Sequence, residues 1–287
     1  MKLTYRNQAT AILGAVAAGL MVLSTNLPAG AAEAPQDPLA ALSTVAPEVL
    51  ADSTQASGTL TEVSGLTVAS LDGASVSVSP VTSAEPVLVA NGSVLQYETD
   101  EAYGFALTGG DAASAGFVTI NDASAPTGYE FALTVDGQPA DLVIAEAGSV
   151  EVKNAAGEIV NVILPAWARD ANGHAVPTSY SVDGGVLIQT VEHAGAAYPV
   201  VADPSLACDA LFCTITMNRA ETQTIASNSA LSVATIAAAC GSFAWACGIG
   251  TAAVVDQANQ AVSQNRCVGM RKAHVSPVAF PVVVKCP

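Results

Sequence analysis

Between residues 58 and 204 apolar and polar positions alternate along the chain. The segments 66–70, 75–79, 116–120, 131–135, 149–153 and 159–163 are short and rich in β-branched residues, the pattern of strands buried on one face. Turn signals separate them at Asp72-Gly73, Asn91-Gly92, Asp136-Gly137, Ala156-Gly157 and Asp183-Gly184-Gly185. The clearest hairpin spans 178–191 and turns at 183–185. No repeat of fixed period is present. Many short strands at this spacing predict an antiparallel β-sandwich-like domain of about 150 residues, large enough to bury a core of its own.

After residue 204 the pattern becomes helical. Asn218-x-x-Glu221 is a capping-box-like start, and residues 222–255 carry no charge, so a helix is expected from 219 to about 239. Its apolar residues, Ile225, Leu231, Val233 and Ile236, are scattered around an alanine-rich cylinder, which must then be covered by protein, a partner or lipid. A second helix is one-faced: Val254, Val255, Ala258, Ala261 and Val262 fall in one arc of about 120° at 100° per residue. Gly248-Ile249-Gly250 at the junction permits close packing of the two helices. Two apolar runs around Ser276-Pro277 predict a terminal β-hairpin. The fold class expected is α+β: an N-terminal antiparallel β-sandwich-like domain followed by a small disulfide-stapled helical hairpin with a terminal β-hairpin.

At the other end, Lys2 and Arg6 precede an uncharged, mostly apolar run at 9–24 and small residues at 27–32, the layout of a secretory signal peptide cleaved after Ala32. The run is too short for the roughly 20 residues of a membrane span. Residues 33–57 hold Pro35, Pro38 and Pro47 with few large apolar residues beyond Leu39, Leu42 and Leu50, and read as a flexible leader or linker with room for one helical turn. The expected organisation is therefore 1–32 signal peptide, 33–57 leader, 58–204 acidic β domain and 205–287 cysteine-rich helical domain. Charge divides along the same line. Residues 33–207 hold 22 carboxylates against Lys153 and Arg169 alone, a balance of −20, whereas 208–287 carry +2. Such a chain excludes a basic nucleic-acid binder, and 51% hydrophobic residues exclude a disordered acidic tail.

All six cysteines, Cys208, Cys213, Cys240, Cys247, Cys267 and Cys286, lie in the last part. In an exported chain they read as a disulfide framework. Their spacings lack the close Cys-x-x-Cys pairs that zinc favours, so no metal is expected. In one continuous helix the Cα atoms of Cys240 and Cys247 would stand about 10.5 Å apart, too far for a bridge, whereas a turn between antiparallel helices brings them into range. Cys240 is therefore expected to pair with Cys247. Cys267 with Cys286 would close the terminal hairpin, which leaves Cys208 with Cys213 as a tight local bridge.

The stretch Pro165-Ala-Trp-Ala-Arg-Asp-Ala-Asn-Gly-His-Ala-Val-Pro177-Thr178, then Tyr180-Ser-Val-Asp-Gly-Gly-Val-Leu187, then Tyr198-Pro-Val-Val-Ala-Asp-Pro204 resembles a β-module of secreted actinobacterial proteins of uncharacterised function. The resemblance covers roughly 115–204 and, more loosely, the cysteine-bearing tail. It implies secretion and architecture without implying a reaction.

Candidate chemistry is sparse. His174 and His193 read as turn and strand-end residues, and neither they nor His274 stand in a metal-ligand spacing or beside a nucleophile signature. Asp170-Ala-Asn172-Gly173 matches a fragment of a calcium loop but lacks the later ligands, so it reads as a plain turn. The function expected is a secreted, non-enzymatic extracellular or cell-envelope protein. Its acidic β-module would present or shield the stapled tail for contact with a cell-surface protein or a membrane, in a bacteriocin-like manner. No cofactor and no nucleic acid are expected. Trp245, Phe243, Ile236, Arg271 and Lys272 are the interaction candidates. Two other classes stand beside this one: a secreted hydrolase using Asp170, His174 and His193, and an adhesin or structural envelope protein.

Overall fold

In the computed structural model the alternating segments form antiparallel sheets. The structure describes residues 37–52, 58–70, 73–109, 114–145, 148–208, 212–227, 251–273, 279–284 and 286. One sheet runs in the order β1 (Gly58–Thr61), β2 (Gly65–Ala69), β3 (Ser75–Pro80), β8 (Gly128–Val135), β15 (Val186–Val191), β14 (Thr178–Asp183), with β9 (Gln138–Pro139) beside β8. The second runs β13 (Ala168–Arg169), β16 (Val200–Ala202), β7 (Ser114–Ile120), β6 (Tyr103–Gly109), β5 (Val94–Glu98), β4 (Pro86–Val89). Leu66, Val76, Phe131 and Leu133 of the first meet Leu95, Phe105, Leu107, Val118 and Ile120 of the second in one buried core. This is the expected sandwich-like arrangement. The hairpin at 178–191 closes through the Asp183–Val186 pair with Gly184-Gly185 at its tip.

A third sheet, β10 (Asp141–Ile144), β11 (Val150–Lys153) and β12 (Ile159–Ile163), connects the sandwich to the tail. Along β12, whose pairing with β11 shifts register between Val152 and Lys153, side chains enter two interiors. Val160 joins the sandwich core, whereas Val162 joins a second core built with Met217, Ile225, Val254, Ala258, Ala261, Val268 and Met270. Apolar side chains thus line much of the seam between β-module and tail, and among the described residues no ion pair crosses it.

Residues 37–52 depart from the flexible leader that composition suggests. They form α1 (Pro38–Val45) and α2 (Pro47–Asp52). The two prolines taken as breakers occupy first-turn positions, where a missing N–H costs no hydrogen bond. Asp37 caps α1 by accepting from the Leu39 amide at 2.9 Å. Leu42, Val45 and Ala46 then bury against Val94, Ala106, Ala115, Phe117 and Val201 on the outer face of the second sheet. The close approach depends on Gly104, where a Cβ would stand 2.8 Å from Pro38 Cγ and 2.9 Å from Tyr97 O. With helices on one side and the first sheet on the other, β5 and β6 are buried on both faces. Their sequences consequently lack alternation, and neither strand is evident from the sequence.

The tail has a three-stranded sheet, β17 (Phe212–Thr216), β18 (Cys267–Ala273) and β19 (Ala279–Val284), with two packed helices on its inner face. The expected hairpin gains β17 as a third strand. α3 (Arg219–Ser227) starts at a reciprocal capping box. Asn218 Oδ1 accepts from the Glu221 amide at 2.9 Å, and Glu221 Oε2 accepts from the Asn218 amide at 2.8 Å. The rest of the helix expected to reach residue 239 lies outside the described residues. α4 (Thr251–Ser263) buries Val254, Ala258 and Ala261, but Val262, expected on this face, is 42% exposed. Arg219, at the start of α3, donates to Asn265 just beyond α4, so the two helices run antiparallel.

Candidate functional site

Among the described residues two disulfides hold the tail, and both match the pairing expected from spacing. Cys267 pairs with Cys286 across the β18–β19 hairpin, and Cys208 pairs with Cys213 at the start of β17. The expected Cys240–Cys247 bridge and the candidates Ile236, Phe243 and Trp245 lie outside the described residues, as does His274.

Arg271 and Lys272 are described, and the strand separates them. As consecutive residues of β18 they point to opposite faces. Lys272 shares its side with Met270, on the face that the helices cover, whereas Arg271 lies on the outer face. The two cations therefore do not make a single patch. Around Arg271 the outer face is aromatic. Its guanidinium lies 5.3 Å from the Phe212 ring centroid, its Nε donates to Thr214 Oγ1 at 2.9 Å, and the Phe212 and Phe280 rings meet edge-on at 6.4 Å. Phe280, paired in register with Arg271, is 42% exposed. Of this cluster only Arg271 stands out in the sequence, because its three residues come from three different strands.

The three stretches 165–178, 180–187 and 198–204 meet at a buried carboxylate. Asp203 is fully buried; its Oδ1 accepts from the Trp167 amide at 3.0 Å and from the Tyr180 hydroxyl at 3.3 Å. Burial pushes its pKa up to about 7, while hydrogen bonds from the Trp167 amide and the Ser205 and Tyr180 hydroxyls pull the other way. Burial and the neighbouring Asp203 raise the Tyr180 phenol in turn. Gln189 extends the network, donating to Trp167 O at 3.3 Å and to Thr178 Oγ1 at 3.1 Å. Each quoted stretch thus supplies one member of a polar lock that fixes β13, the 178–191 hairpin and β16 to one another.

A second lock lies at the module's junction with the tail. Asn161, fully buried, donates to Ser70 Oγ at 2.6 Å and to Cys208 O at 3.4 Å and accepts from the Cys208 amide at 3.2 Å. One side chain therefore clamps both sides of the residue that begins the first disulfide.

Of the three residues singled out for hydrolytic chemistry, two come together. His174 Nδ1 stands 3.5 Å from Asp170 Oδ2, on an imidazole that is 76% exposed. Asp170 is engaged as a turn-former: it accepts from the amides of Asn172 at 2.9 Å, His174 at 2.8 Å and Ala197 at 3.3 Å. Burial alone would raise this carboxyl, but those amides and the His174 ring outweigh it and hold the group below the usual carboxylate range. The plain turn expected here is what forms. His193 is buried and apart from this pair, its ring nitrogens at 2.9 Å from the Tyr198 hydroxyl and 3.1 Å from Pro126 O. Trp167 is half-buried against Phe117, with the Arg169 guanidinium 5.4 Å from its ring centroid.

Among the described residues no group of three or more His, Cys, Asp or Glu side chains is placed to hold a metal ion, and no helix is long and apolar enough to cross a membrane. No family model matches the chain, and no curated protein or solved structure is similar to it.

Proposed function

We propose that this chain is a secreted, non-enzymatic binding protein whose acidic β-module carries the disulfide-stapled tail as a contact surface for a cell-surface partner. The observation that carries this reading is the outer face of the tail sheet, where Phe212, Phe280 and Arg271 form one cluster. Aromatic and arginine side chains grouped this way are the residue types that dominate binding energy at protein interfaces. Export is supported by the layout of residues 1–32, and the two disulfides suit an oxidising destination. The tail is held on the β-module by apolar contact through Val162 and Ala207, which favours presentation of a fixed surface over electrostatic shielding.

The test is adsorption of the oxidised protein, residues 33–287, to intact cells of producing and competing strains, alongside lipid vesicles. Saturable binding to cells, reduced about tenfold or more by Phe280→Ser, is expected for an aromatic anchor. Vesicle leakage without dependence on a surface protein would move the reading to membrane contact. Cell binding unchanged by both Phe280→Ser and Arg271→Gln would remove this face from consideration.

A further inference from the structure

The chain contains five arginines among 25 carboxylates, and three of the five line one cleft although they lie far apart in sequence. Arg169 comes from β13, Arg219 from the first residue of α3, and Arg266 from the segment between α4 and β18. The cleft has a volume of about 680 Å³, within the range of small-ligand sites. Asn172 of the 170–173 turn and Asn265 add neutral hydrogen-bonding groups to its wall.

The charges within the cleft are not balanced. Arg169 is held by Glu48 at 2.7 Å and is neutralised there. Arg219 donates to the neutral carbonyl oxygen of Asn265. Among the described residues neither Arg219 nor Arg266 has a carboxylate within ion-pair distance. In a chain with almost three times as many acidic as basic residues, pairing every guanidinium internally would be easy. Instead the fold brings two such groups to the lining of one cleft, where a bound anion would offset their charge.

We infer that this cleft binds a small dianion, its carboxylate or phosphate oxygens held by the guanidinium forks of Arg219 and Arg266. The planar fork of each arginine suits two oxygens of such a group. The Arg169–Glu48 pair, also on the lining, contributes no net charge. The site is separate from the aromatic face of the tail sheet, so its failure would leave that reading standing.

Titration calorimetry on the oxidised protein, residues 33–287, with inorganic phosphate, succinate and acetate tests the inference. One saturable site for a dianion, with acetate much weaker, is expected, and the preference between phosphate and succinate identifies the oxyanion. Arg219→Gln and Arg266→Gln, each confirmed as folded by circular dichroism, should weaken binding by about tenfold to a hundredfold, as loss of one charge-assisted pair implies. Lys153→Gln, whose lysine is paired with Glu151 away from the cleft, should leave it unchanged. Absence of saturable heat for both dianions at millimolar concentration, or binding that survives both arginine variants, overturns the inference.

Discussion

Asp203→Asn tests the buried carboxylate directly. A carboxyl whose pKa is raised on folding favours the native state only while it is protonated. Its contribution is complete below the ordinary value of 3.8 and is lost as pH rises through the folded value of about 7. At 1.36 kcal/mol per unit, a shift of this size corresponds to about 4 kcal/mol of stability present near pH 4 and absent near pH 8. That is a large share of the roughly 5–15 kcal/mol typical of a folded domain. Asparagine keeps an acceptor oxygen for the Trp167 amide and the Tyr180 hydroxyl but cannot ionise. Urea unfolding of both proteins at half-unit steps from pH 5 to 8 isolates the effect, since the difference between them cancels the other titrating groups. At pH 5 the variant should equal the parent or fall below it by about 1 kcal/mol, one neutral hydrogen bond. By pH 8 it should be the more stable protein, the gap widening by roughly 2–3 kcal/mol across this window. Two curves that stay parallel from pH 5 to 8 would refute the assignment of a protonated carboxyl at this position.

Two further substitutions probe the helices and the staple. Gly104→Ala should destabilise by about 1–3 kcal/mol through the clash of its Cβ with Pro38 and Tyr97 O, and hydrogen exchange should show α1 losing protection before β8 does; equal loss in both would count against a clash local to α1. Replacing Cys267 and Cys286 together by serine opens a loop of 19 residues and should cost about 3 kcal/mol, read as a lowered urea midpoint; an unchanged midpoint would show that the hairpin is held by its strand pairing alone.

How much could be read from the sequence depended on whether the signal was local. The 178–191 hairpin, the Asn218–Glu221 capping box and the two described disulfides each rest on a spacing of a few residues or on one closed turn, and all appear as expected. α4 was legible as a one-faced helix, but the buried stripe is narrower than its apolar arc and leaves Val262 outside. β5 and β6 escaped because burial on both sides removes the alternation that identifies a strand. The helices at 38–52 were hidden by prolines, whose effect reverses with position: breakers inside a helix, starters at its first turn. The sites were less legible than the fold. Nothing in the spacing of Trp167, Tyr180 and Asp203 marks a shared buried network, and nothing in the spacing of Arg169, Arg219 and Arg266 predicts a shared cleft.

The Cys208–Cys213 bridge spans the stretch of backbone that leads from the last strand of the module into the first strand of the tail. A protease that severs the backbone between these two residues leaves the fragments joined through sulfur. Detachment of the tail at this point thus requires two unrelated agents, an endopeptidase and a reductant, acting together, and even then the shared interior around Val162 must come apart. A nicked form would still migrate as one species until it met a thiol.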